Sequence, residues 1–292
     1  MEWPALPLNE WRETCETLHL WTQMAGKVRL VYSPPCNHWW HAALYANARG
    51  LTTSVIPCCG RELEIQFDFL DQLLRMDTSD GATRSIPLKP TPVCEFYREF
   101  LAALHSIGLD VAINPRPQEI AGAIPFDEDD RHSAYDAEYA RRFWQVLLAA
   151  GEVLAEFRSR FIGKCSPVHF FWGSFDLACT RFSGRPAPPR KGLISSEAYS
   201  HEVISAGFWP GGGVVDDAAF YAYAVPEPQG LAEQAIRPDG ARWHAQLREF
   251  VLMYDEVRRC GSPRAALMEF LESTYAAGAE LAHWDRSSLE RH

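Results

Sequence analysis

Two periods of polar and apolar positions run along this chain, and the change from one to the other marks its elements. A helical repeat predicts amphipathic helices over 11–24, 93–107, 136–161 and 263–283. Strict alternation predicts strands. LEIQFDF at 63–69 puts Leu63, Ile65, Phe67 and Phe69 on one face, and AFYAYAV at 219–225 does the same for Tyr221, Tyr223 and Val225. Further strands are expected over 73–78 and 250–254. A strand drawn over 169–180 puts His169, Phe171, Gly173, Phe175, Leu177 and Cys179 on one side. Phe170, Trp172, Ser174, Asp176, Ala178 and Thr180 fall on the other. A similar strand over 39–49 aligns Trp39, His41, Ala43, Tyr45, Asn47 and Arg49.

The order of these elements repeats. GKVRLVYSPPCNHWWHAALYANARG (26–50) and GKCSPVHFFWGSFDLACTRFSG (163–184) both start with Gly-Lys, pass Ser-Pro, reach a His with aromatics, and end near Arg and Gly. His38 and His169 lie 131 residues apart (169 minus 38) when the two are aligned. TSVIPCCG (53–60) parallels AGFWPGGG (206–213). The expected architecture is α+β: a tandem duplication of an α-β-β-β(-β)-α unit, with antiparallel sheets, flanking helices and a pseudo-two-fold axis. The first repeat would span 1–113 and the second 134–292, packed as one unit. The Pro/Gly-rich and acidic stretch 114–133 would be a linker crossing the surface.

GKCSPVHFFWGSFDLACTRFSGR and EAYSHEVISAGFWPGG (197–212) resemble a bacterial and fungal family known as a domain of unknown function, DUF5996. LHLWTQMAGKVRL, NHWWHAALYANARGLTTSVIP and FLESTYAAGAELAHWDR resemble the same family, so the likeness covers nearly the whole chain. It implies that the two halves act as one unit, and it carries no mechanism.

Charge narrows the partners. Lys and Arg number 28 against 38 Asp and Glu, a net charge of −10, which argues against nucleic acid and against an anionic membrane surface. No apolar run is long enough to span a membrane, and the acid at position 2 does not suit a signal peptide. A cytoplasmic location is expected. The 8 cysteines include no C-x-x-C, so zinc-ribbon and redox motifs lose their support, and Cys58–Cys59 reads as a reduced vicinal pair.

Candidate chemistry gathers where polar residues interrupt aromatic strands. Asp176 lies inside FFWGSFDLACT, where a carboxylate must be paired, hydrogen-bonded or neutral. Asp176, His169, His201 and Glu202 are candidates for acid/base work. His41, Tyr45, Arg49, Trp172, Ser174, Arg181 and Trp209 would bind substrate. His38, His169 and His201 offer nitrogen ligands for a divalent metal ion, although no metal-ligand spacing supports them. A structural ion pair or cap for Asp176, and hydrogen-bonded structural histidines, are the plainer alternatives. The expectation is a small-molecule enzyme with a His/Trp/Asp-lined cleft between the repeats, working by acid/base or metal-assisted chemistry. A non-catalytic ligand-binding or sensor protein is the alternative, and a scaffold using Trp anchors the third.

Overall fold

The computed structural model describes residues 2–291; Met1 and His292, the outer ends of the two expected halves, lie outside the described residues. Helix α1 (Leu8–Tyr32) is longer than its expected span. Burial continues through Ala25, Gly26 and Val28, which keeps the chain helical past the predicted end. It stops at Ser33, because Pro34 disfavours helical backbone in the residue before it. A short 3-10 segment, Asn37–Ala42, follows, with His38 and Trp39 both in left-handed backbone.

The first sheet is a meander: β1 (Tyr45–Ala46), β2 (Gly50–Thr52), β3 (Ile56–Cys58), β4 (Arg61–Asp68), β5 (Leu73–Thr78) and β6 (Thr83–Pro87). Its path is β1-β2-β4-β5-β6, with β3 also paired to β4. Leu63, Ile65, Phe67 and Phe69 all turn inward, as their alternation predicts. Helix α2 (Val93–Ser106) closes this half.

Helix α3 (Ala137–Ser159) begins at Asp136, whose side chain accepts from the N–H groups of Glu138 and Tyr139. The second sheet contains β7 (His169–Phe171) and β8 (Asp176–Pro186), then, after helix α4 (Leu193–Ala198), β9 (His201–Trp209) and β10 (Ala219–Val225). Strands β11 (Arg242–His244) and β12 (Glu249–Met253) complete it in the order β11-β12-β10-β9-β8-β7. Helices α5 (Tyr254–Arg259), α6 (Pro263–Leu281) and α7 (Arg286–Leu289) end the chain. Helices α3 and α6 pack on one face of this sheet. Phe220 and Ala222 of β10 turn toward that face, and Tyr221 and Tyr223 turn away from it.

Each half therefore runs from a long helix through an antiparallel sheet to closing helix structure. The two sheets meet at one reciprocal pair: Leu44 N–H donates to Phe170 O at 2.8 Å, and Phe170 N–H to Leu44 O at 2.9 Å. One hydrophobic core draws residues from both halves. No helix among the described residues is long and apolar enough to cross a membrane.

Four expectations need correction. The strand over 39–49 does not form, because the 3-10 segment occupies its start and only Tyr45–Ala46 forms a strand there before Gly50. Gly26–Tyr32 belongs to α1, so the two aligned segments do not start in equivalent structure. The strand over 169–180 is a hairpin: residues 172–175 form a turn, with Phe175 left-handed and its N–H on Phe171 O at 2.8 Å. His169 therefore pairs with Ala178 and Phe171 with Asp176, which puts His169 and Asp176 on the same face instead of opposite ones. The stretch 114–133 also differs from a surface linker, since Phe126 and Asp129 are fully buried.

Candidate functional site

The face of the second sheet that points away from α3 and α6 lines a cavity of about 1200 Å³. Its floor comes from alternate positions on four strands. They are Asp176, Ala178 and Thr180 of β8, Ser205 and Trp209 of β9, Tyr221 and Tyr223 of β10, and Glu249 and Val251 of β12. The N-terminal half of α1, the 3-10 segment, residues 118–119, α4 and the glycine turn 211–213 form the walls.

Residues of the first half hold those walls. Gln23 of α1 is fully buried; its amide nitrogen donates to Gln118 O at 2.9 Å and its carbonyl oxygen accepts from Gln118 N–H at 2.6 Å. That clamp delivers Glu119, which has left-handed backbone, to the cavity beside Gly173. His19 Nε2 lies 2.9 and 3.0 Å from the carbonyl oxygens of Trp172 and Gly173. Carbonyls only accept, so Nε2 carries the proton and pins the β7–β8 turn. The Trp172 ring lies directly on Gly26, where an added Cβ would sit 2.2 Å from its Cδ1, and its Nε1 donates to Ala42 O at 2.7 Å. The glycine thus lets the tryptophan rest on the helix backbone.

On the opposite wall, His38 Nδ1 lies 3.1 and 3.2 Å from the carbonyl oxygens of Glu197 and Ala198, tying the 3-10 segment to α4. Nδ1 must then be the protonated nitrogen, leaving Nε2 to accept from Lys164 Nζ at 2.7 Å. Burial, and next the Lys164 charge, hold His38 below the usual imidazole pKa.

Two polar networks cross the floor. Asp176 accepts hydrogen bonds from the hydroxyls of Ser174 and Tyr221. In the second, Tyr199 and Tyr223 share a bond of 3.1 Å, Tyr223 bonds Ser205, and Ser205 and Thr180 are 2.8 Å apart. Burial raises the Asp176 carboxyl, and the two hydroxyl donors partly offset it. Burial, helped by the Asp176 charge, pushes Glu249 up to about 7 and raises Glu119. Burial likewise lifts the Tyr221 and Tyr223 phenols well above their ordinary values. Such an arrangement can hold, deliver or accept a proton near neutral pH.

Of the residues singled out from sequence, His38, Trp172, Ser174, Asp176 and Trp209 line this cavity. The others stand elsewhere. Arg181 is buried among Phe157, Phe161 and Tyr275 on the helix-covered face. Glu202 accepts from Arg185 at 2.6 Å, Ser183 at 2.9 Å and Trp284 at 3.1 Å. Arg49 pairs with Asp68 and Asp71. Tyr45 carries Arg29 over its ring, and His41 Nδ1 accepts from Cys36 N–H at 3.0 Å. His201 lies beside Ser200. His169 is 1% exposed, with both ring nitrogens unpartnered, among Trp40, Tyr45 and Phe171. The rings of His38 and His201 are 5.8 Å apart, but His169 does not join them. Among the described residues no three His, Cys, Asp or Glu side chains converge so that they could hold a metal ion.

Sequence reasoning missed Glu119, Glu249 and Tyr199. It did place Tyr221 and Tyr223 on one face, and the signal was a pair of phenols alternating with Phe and Ala inside an apolar strand. No curated protein and no solved structure matches the chain. A family described as a family of unknown function, DUF5996, matches residues 3–291, nearly the whole length, and the chain belongs to that family.

Proposed function

We propose that this protein is a small-molecule enzyme that moves a proton in the cavity under α1, with Glu249 and Asp176 as its acid/base groups. The observation that carries this reading is a carboxyl held at about 7, in one cavity with a buried carboxylate that two hydroxyls hold in place. An acid whose pKa lies near the working pH is both available and effective as a proton carrier. Tyr221 would orient Asp176, and Trp172 and Trp209 would supply apolar wall. Acid/base chemistry is favoured over the metal-assisted form because His38, His169 and His201 do not gather. His169, His201 and Glu202 have no part in this reading, since they lie outside the cavity lining.

The matched order of elements in the two halves supports a tandem duplication. The cavity lining would then have diverged, because its floor comes from the second sheet alone. The 8 free cysteines suit a reducing cytoplasm.

The test is to incubate wild-type protein, Asp176→Asn and Glu249→Gln with a cell metabolite extract and follow it by mass spectrometry. Species consumed or formed by wild type alone would support the enzyme. Equal turnover by both folded variants would sink it. The second reading, a binding protein, rests on the closed Tyr199–Tyr223–Ser205–Thr180 chain, a fixed polar wall suited to recognition. It expects ligand retained in native mass spectrometry and no conversion.

A further inference from the structure

The charges around the cavity discriminate among ligands. Asp176 is 7% exposed, and the partners of its carboxylate are neutral hydroxyls, so no side-chain cation neutralises it. Glu119 and Glu249 share the cavity, and each feels Asp176 as a like charge. Three arginines also line the rim, and none of them pairs with these carboxylates. Arg248 bonds Glu227 at 2.7 Å, and Arg190 lies over the Tyr199 ring. Arg12 lies on the α1 side, beside Cys15 and Glu16. Aromatic surfaces from Trp172, Trp209, Tyr221 and Tyr223 complete the lining.

We propose that this cavity takes an organic cation, whose protonated amine or guanidinium sits among Glu119, Asp176 and Glu249 and whose apolar part rests on Tyr221, Tyr223 and Val251. The inference rests on reading the cavity as a ligand site. Three carboxylates that no lining arginine pairs with, in a partly desolvated space, disfavour an anion and attract a cation. Aromatic faces add to that attraction through their quadrupoles. Among the described residues these carboxylates form no group that could hold a metal ion. An organic cation with several N–H donors or an alkyl shell does not require such close convergence. The cavity volume of about 1200 Å³ also leaves room for an organic group beyond the charged head.

The test screens the wild-type chain by ligand-observed NMR against a fragment set matched in shape across three charge classes. Phenethylammonium, 2-phenylethanol and 3-phenylpropionate are the reference trio. Ammonium and guanidinium members should bind, with phenethylammonium about tenfold tighter than the alcohol. Glu249→Gln and Glu119→Gln, each checked for an unchanged fold by circular dichroism, should erase that preference while leaving the alcohol unaffected. Hits concentrated among neutral or anionic fragments would overturn the inference and leave the ligand site standing. A preference for cations that survives in both variants would also overturn it. No hit in any class would remove the ligand-site reading, and this inference with it.

Discussion

The Tyr221 hydroxyl reaches the Asp176 carboxylate by passing over Gly207, the residue of β9 that stands between them. Gly207 pairs with Ala178 of β8 on one side and with Tyr221 of β10 on the other. The phenol therefore lies across β9 to reach a carboxylate on β8. Any side chain at 207 would occupy that path. A Cβ there would sit 2.5 Å from the Tyr221 oxygen and 1.9 Å from Leu177 O. The missing side chain is thus a condition of the buried network.

Gly207→Ala should destabilise the fold by about 1–3 kcal/mol, the usual penalty for forcing a methyl into a packed site. Part of the clash is with backbone, which cannot swing aside as a flexible side chain can. Urea denaturation measures it, and an unchanged midpoint would show that the Tyr221 ring and β8 yield freely.

Tyr221→Phe keeps the ring and removes only the donor. Asp176 would then keep Ser174 as its one side-chain partner in a site that is 7% exposed. The loss should be about 1–3 kcal/mol, the range for leaving a buried acceptor under-satisfied. The carboxyl should also rise further, since that hydroxyl is one of the groups holding it down. A wild-type midpoint for Tyr221→Phe in urea would count against a structural link between the two residues.

Much of the scaffold was legible in the sequence because its patterns are local. The strand Leu73–Thr78 forms as predicted, and α2 starts at its predicted residue. Asp176 stood out because a carboxylate in an aromatic strand needs a partner. Its surroundings were misread because Gly173-Ser174, ordinary turn residues, were carried through as strand, and that error inverts every side chain beyond them. The expected first helix ends at 24, yet the stretch 26–32 continues it. Packing against the Trp172 ring and the core keeps it helical, and that is a tertiary cause no local pattern records. Glu119 and Glu249 were invisible for the same reason. Each is an ordinary acid in its own segment, and only the fold brings them to Asp176.

Glu249 should leave a mark on the pH dependence of stability. Its folded pKa is raised from 4.5 to about 7, so between those values the folded state holds more protons than the unfolded one. Stability from this group is then full below about pH 4.5 and falls as pH rises toward 7. Asp176 and Glu119, also raised, act in the same direction. Glu249→Gln removes one titrating group. The variant should gain about 2–4 °C in melting temperature over wild type at pH 8, and little at pH 4.5. Thermal melts across that range test the sign, and parallel curves for the two proteins would refute it.

His169 gives the opposite slope and a sharper discrimination. Burial, then the charges of Arg29 and Arg158, lower its pKa from 6.5 to about 4. The folded state therefore holds fewer protons than the unfolded one in that window, and stability is lost as pH falls from 6.5 toward 4. His19, also lowered to about 4, behaves alike. Both nitrogens of His169 are buried without a partner, and its neighbours Trp40, Tyr45 and Phe171 are aromatic. His169→Phe replaces an unsatisfied polar ring with an apolar one of similar shape. It should stabilise the protein by about 1–3 kcal/mol at neutral pH. It should also flatten, but not abolish, the acid limb, since His19 remains. If His169 instead serves the chemistry directly, the variant would lose turnover of whatever species wild type converts, and its stability gain would not protect that activity. Denaturation and the metabolite assay on the same variant separate the two roles. A destabilised His169→Phe would mean that the imidazole nitrogens are satisfied in solution, by water or by a shifted ring, and that this site is polar by design.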